Sequence, residues 1–175
     1  MTGMTRTIAA RVSGFTFLFY IVVGISSMAG AFRGPAADAA RYAQSASAVI
    51  LALTLYVVTR VEQPTVAALG MTFRLAEGAL GLALHVTGIT LSQPALVDAT
   101  LFAIGSTFFC SLLLRGRMIP RALAWIGVVA SVIVDVGLPL QLARLLGAPL
   151  TVLMWIPMLA FEVAGGLWLL AKGVA

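Results

Sequence analysis

Residues 65–91 read TVAALGMTFRLAEGALGLALHVTGITL, an unbroken apolar run that carries an arginine, a glutamate and a histidine in its interior. Such a run is long enough to cross a bilayer with some tilt. At about 100° per residue, and with Arg74 set at zero, Glu77 falls at about −60° and His85 at about +20°. Gly70, Gly78, Gly81 and Gly88 fall between about −40° and +40°. Leu75, Ala76, Ala79, Leu82, Ala83 and Val86 take the opposite side. The helix therefore turns a polar, side-chain-poor stripe inward and an apolar face outward. Its glycines serve either close helix–helix packing or the floor of a cavity in which a ligand lies against backbone.

The rest of the chain repeats this plan. Further spans are expected at about 9–32, 45–61, 95–114, 122–143 and 150–171, so the expected fold is all-α, a polytopic bundle of six transmembrane helices in a single domain. The breaks carry turn residues, among them Gly34-Pro35, Pro64, Pro94, Pro120 and Gly147-Ala148-Pro149. The run 115–121 also separates two spans, and no break is long enough for a separate domain. Over the 175 residues, 61% are apolar and 10% charged, and mean hydropathy is +1.08. Soluble domains are nearer half apolar and a quarter charged, and disordered chains are more polar still. One cysteine, Cys110, and one histidine, His85, exclude an internal disulfide framework, a zinc-thiolate cluster and a multi-histidine metal or haem site. Neither a metal nor a cofactor is expected.

The net charge is +5. With six spans, Arg6, Arg11, Arg60, Arg115, Arg117, Arg121 and Lys172 share the side of the termini, against Arg33, Arg41 and Arg144 opposite. This asymmetry predicts cytoplasmic termini in a bacterial inner membrane. The positive charge then reports topology and contact with anionic lipid heads, not nucleic-acid binding. The first apolar run exceeds a signal-peptide core and is expected to remain as a helix.

Four of the six acids, Glu77, Asp98, Asp135 and Glu162, fall inside predicted spans, with Arg74 as the one certain cation; Asp38 and Glu62 are placed in loops. A charge at the bilayer centre costs about 2.5–3.5 kcal/mol on insertion scales, so such groups are candidate functional residues. Were all four acids ionised, at least two would be buried without a positive partner. The less costly arrangement leaves one or more of them protonated. A neutral buried carboxyl supplies general acid catalysis, a proton relay or an interhelical hydrogen bond. Each acid also shares a helical face with aromatic or small residues: Asp98 with Phe102, Gly105 and Phe109, and Glu162 with Trp155, Met158, Gly165 and Gly166. Depth along the spans suggests a cleft that opens from the midplane toward the side opposite the termini.

Several stretches together resemble a known family. They are Arg11-Val-Ser-Gly-Phe, Phe73-Arg74-Leu75-Ala76-Glu77, Asp98 at the start of the fourth span, Leu112 through Ile119-Pro120-Arg121, and Phe161-Glu162-Val-Ala-Gly-Gly-Leu-Trp-Leu-Leu. The chain is similar to the bacterial integral-membrane family catalogued as domain of unknown function 4386. The resemblance implies a six-helix membrane protein and matches Arg74, Glu77, Asp98 and Glu162 to the polar motif positions. It implies no activity, and it does not map Asp135 or His85.

Three functions fit these residues. The first is an intramembrane enzyme on a lipophilic small molecule such as an isoprenoid or polyketide. It would carry out cyclisation, isomerisation or epoxide opening. Glu77 and Glu162 would be acid and base, supported by Asp98 and Asp135, with Arg74 holding a carboxylate. His85, Phe102, Phe109 and Trp155 would line the binding cavity. The second is a binding or proton-coupled transport protein for a lipophilic or cationic compound, which at this size would work as a homodimer. The third is a structural or accessory protein whose charges join helices. Membrane lipids are the surroundings in each case.

Overall fold

The computed structural model describes residues 3–87, 89 and 94–174. It has seven helices among them: α1 Gly3–Met28, α2 Pro35–Thr59, α3 Pro64–Thr87, α4 Pro94–Arg115, α5 Arg121–Leu142, α6 Ala148–Leu153 and α7 Ile156–Lys172. The described residues contain no strand. Proline stands at the first or second position of α2, α6 and α7, where its missing N–H costs nothing and its fixed φ favours the helix.

Six segments are long and apolar enough to cross a membrane, the last formed by α6 and α7 together. The chain is a multi-pass membrane protein. Its outer surface agrees with that: Phe15, Val22 and Ile25 on α1 are exposed, as are Trp125, Val129 and Val136 on α5 and Leu167 on α7. Water would make such a surface aggregate, whereas lipid solvates it.

Two boundaries differ from those expected. The second span begins at Pro35 rather than Ser45, because residues 35–44 continue the helix although Asp38, Arg41 and Gln44 keep them from registering as a lipid-spanning run. Asp38 thus lies in the first turn of α2, not in a loop, and its charge favours that helix end. The last span is broken at Met154–Trp155, between α6 and α7. Pro157 lacks the N–H that would bond the carbonyl of Leu153, and its ring crowds that carbonyl. Gly88, the last glycine of the α3 stripe, lies outside the described residues.

Each span packs on its sequence neighbour, and α7 returns to pack on α1, so the bundle closes as a ring. The closing seam is made by small residues. Gly14 of α1 faces the backbone of Gly166 and Leu169, and a β-carbon on Gly166 would stand 3.2 Å from the Gly14 carbonyl oxygen. Close backbone approach of this kind supplies van der Waals contact where lipid offers no hydrophobic drive.

The two ends of the ring differ. Toward the end that carries both termini, Leu55, Val58, Phe109, Leu112 and Leu113 form a packed core. The connection between α4 and α5 folds back into it and buries Met118 and Ile119. Arg117 adopts a φ of 50° to make that turn. Toward the opposite end the helices part and leave a cleft.

Candidate functional site

The cleft has a volume of about 390 Å3. Tyr20 of α1, Arg41, Gln44, Ser45 and Ala48 of α2, Glu77, Gly78, Gly81 and Leu84 of α3, and Ala95 and Asp98 of α4 line it. It runs from Glu77, in the middle of α3, to Arg41 and Ala95 near the end opposite the termini. Gly78 and Gly81 admit it. A β-carbon on Gly78 would stand 2.9 Å from the Ser45 carbonyl oxygen, and one on Gly81 the same distance from Ser45 Oγ. Gly70 instead faces Phe108 and Phe109 of α4. Gly70 and Gly78 thus serve close packing, and Gly78 and Gly81 border the cleft.

Behind the cleft lies Arg74, only 1% exposed. Its Nη1 stands 2.6 Å from Glu77 Oε2, one turn away on the same face. The approach is off the hydrogen-bond line, and both terminal nitrogens lack a hydrogen-bond acceptor among the described residues. Two rings solvate the guanidinium: the centroid of Phe102 lies 4.7 Å from Cζ and that of Tyr20 5.8 Å. Gly105 makes the space for it, since a β-carbon there would stand 2.7 Å from Arg74 Cγ. The hydroxyl of Tyr20 donates to Glu77 Oε1 at 3.1 Å. Glu77 is thus engaged by α1 through one oxygen and by Arg74 through the other.

Asp98 faces the same cleft and makes no hydrogen bond or ion pair with the described residues. The two carboxyls of this wall are therefore unlike. One is tied to internal partners, and the other is open to whatever enters.

The remaining candidates lie elsewhere. Glu162 is 7% exposed, and its Oε1 has no hydrogen bond among the described residues. It borders a separate void of about 10 Å3 beside Ser106, Cys110 and Phe161, too small for any organic ligand. Arg74 nevertheless acts electrostatically on Glu77, Asp98 and Glu162 alike. Asp135 accepts a hydrogen bond from Thr107 at 2.6 Å, which joins α5 to α4. His85 meets the edge of the Tyr42 ring at 4.7 Å between centroids, and its Nε2 lies 3.8 Å from Asp38 Oδ1. Asp38 in turn holds Arg41 at 3.0 Å beside the cleft mouth. Phe102 and Trp155 pack together at 6.0 Å, and Phe109 is buried in the core. None of the three aromatics expected to line a cavity borders the cleft. Tyr20, Gln44 and Ser45 were not expected there. Tyr20 carries a hydroxyl into an otherwise apolar span, which was a usable signal, and Gln44 was cut off by the late start assigned to the second span.

The polar motif residues Asp98 and Glu162 both lie in the part of the chain that has a recognisable family relationship. Residues 93–173 match the family model Domain of unknown function (DUF4386). The DUF4386 match takes in α4 through α7. It includes Asp98, the Leu112–Arg121 run and the Phe161–Leu170 run. The Arg11–Phe15 and Phe73–Glu77 stretches lie outside it. No curated protein and no solved structure matches the chain.

Proposed function

We propose that this chain is a small integral-membrane enzyme that exchanges protons with a small molecule held in the cleft, with Glu77 and Asp98 as the acid/base pair. The observation that carries this reading is that two carboxyls from adjacent helices face one cleft of about 390 Å3 in unlike settings. That volume falls within the range of small-molecule sites. Unlike settings are what divide acid and base roles between two carboxyls. Asp98 can give or take a proton without breaking an internal contact. Tyr20 touches both the cleft and Glu77, so it offers a path for the second proton.

The lining also bears on the substrate. The wall sets Arg41, Gln44, Ser45, Glu77 and Asp98 among apolar surface, and the surrounding helix faces are apolar. A polar head in the cleft with a lipophilic remainder in the bilayer fits both. The reaction would be an isomerisation, a cyclisation or an epoxide opening. The charge asymmetry of the ends supports cytoplasmic termini, which would put the cleft mouth at the outer leaflet. Glu162 and Asp135 stand apart from the cleft, so their part in this reading is support of the bundle.

Binding coupled to transport is the alternative. It is less well supported because buried Met118 and Ile119, with the core around them, fill the far end of the ring. A site closed on one side suits chemistry or binding more than passage.

The test is solvent-proton incorporation. Purified protein in nanodiscs is incubated in D2O with a bacterial lipid extract, and mass spectrometry follows every species for added deuterium. A species labelled by the native protein and not by Asp98→Asn or Glu77→Gln supports the reading. Labelling that is equal in native and both variants, or absent throughout, removes it.

A further inference from the structure

The open carboxyl in the cleft points to a ligand class. We infer that the molecule bound there carries a protonated amine, which pairs with Asp98. This rests on the reading of the cleft as the functional site and adds the chemistry of what it takes.

The cations around the cleft are already matched. Arg74 stands 2.6 Å from Glu77 Oε2. Arg41 at the mouth is matched by Asp38 at 3.0 Å. Asp98 is therefore the carboxyl of the cleft wall without a cation of its own among the described residues.

An anionic ligand would add a further negative charge beside two acids. A neutral ligand would leave Asp98 to be neutralised by a proton alone, whereas a cation gives the carboxylate the partner it lacks. A protonated amine brings one positive charge and up to three donors. Acceptors for those donors face it: Asp98 on α4, and the Gln44 carbonyl and Ser45 hydroxyl on α2, neither of which is engaged in a side-chain hydrogen bond among the described residues.

Glu77 closes the inner end of the cleft with both oxygens taken, one by Arg74 at 2.6 Å and one by Tyr20 at 3.1 Å, so the amine's anionic partner is Asp98. Along α3, Leu84 at the mouth and Glu77 at the inner end are seven residues apart, which at 1.5 Å per residue is about 10 Å.

The experiment compares three probes of one size: n-butylamine, 1-butanol and butyrate. Thermal unfolding of the protein in nanodiscs is followed by tryptophan fluorescence. Butylamine is expected to raise Tm by about 2–4 °C at concentrations a few-fold above its Kd, with 1-butanol and butyrate without effect. Asp98→Asn is expected to abolish the rise, and Asp135→Asn to keep it. A rise with 1-butanol equal to that with butylamine overturns the inference, as does an unchanged amine response in Asp98→Asn. If Asp98→Asn does not assemble, the three-probe comparison on the native protein decides alone. Deuterium entering an uncharged species without any amine effect would overturn the amine and keep the acid/base reading. An amine effect without deuterium entering any species would keep the amine and remove the catalysis.

Discussion

Tyr20 donates its hydroxyl to Glu77 at 3.1 Å while its ring stands 5.8 Å from the Arg74 guanidinium, so one side chain of α1 serves both members of the α3 ion pair. Tyr20→Phe separates these contributions. The ring stays and the donor goes. Stability is expected to fall by about 1 kcal/mol, the usual net worth of such a bond. Deuterium incorporation is expected to fall about 100-fold, at the low end of general acid/base effects. Equal incorporation by Tyr20→Phe and native protein would exclude the hydroxyl from the proton path.

Among the described residues Arg74 is the largest fully buried side chain. Removing it by Arg74→Met leaves Glu77 buried beside no cation, and a loss of about 3–5 kcal/mol is expected. The double variant Arg74→Met, Glu77→Gln is expected to lose less than the sum of the two single changes. Denaturant unfolding in mixed micelles measures the cycle. Additive losses would mean that the pair does not act as a unit.

Glycine positions give a prediction with two signs. Gly105→Ala drives a methyl into Arg74 Cγ at 2.7 Å and the Gly70 carbonyl oxygen at 3.1 Å, so a cost of about 1–3 kcal/mol is expected. At Gly165 the same methyl meets Phe161 at 3.5 Å, an ordinary contact. Gly165→Ala is expected to be neutral or to stabilise by up to about 1 kcal/mol, since alanine favours the helix. Melting curves should show Gly105→Ala lowered and Gly165→Ala unchanged or raised.

The Thr107–Asp135 bond joins α4 to α5 away from the cleft. Thr107→Val is expected to cost about 0.6 kcal/mol, the average for interhelical hydrogen bonds in a bundle. The response to butylamine should be unchanged. A lost amine response would place Asp135 within the working site after all.

Orientation is open to direct labelling. Cys110 is 3% exposed and is expected to resist a membrane-impermeant thiol reagent in intact cells, which makes it an internal control. Arg33→Cys is expected to be labelled from outside and Arg117→Cys only after lysis. The reverse pattern would turn the bundle over.

The six spans were legible because crossing a bilayer requires length and apolarity, and both are local properties of the sequence. The start of α2 was not, since residues 35–44 are helical but interrupted by Asp38, Arg41 and Gln44. The stripe on α3 was also legible: Arg74, Glu77 and Gly78 are all buried, as their shared helical face required. Which acids meet was not. A helical wheel gives the face of a residue, whereas convergence depends on which helix lies opposite and at what depth. Glu77 and Asp98 face one cleft because α3 and α4 are neighbours that part at one end. Glu162 shares the influence of Arg74, but it lies where the ring is packed. Phe102 shows the same limit: its aromatic ring was foreseeable near the charges, and its role as a cover for a guanidinium was not.

The seam between Gly14 and Gly166 has a consequence for biogenesis. Five of the six contacts around the ring join segments that follow one another in translation, so each can form as its second helix leaves the ribosome. The sixth joins the earliest segment to the latest. Until then the Gly14 face of α1 lies open to lipid or to whatever insertase attends it, and the cup has no finished wall. Assembly thus ends in a single late step, and an arrested chain lacking α7 should persist as an open, protease-sensitive intermediate with its first helix still available for capture.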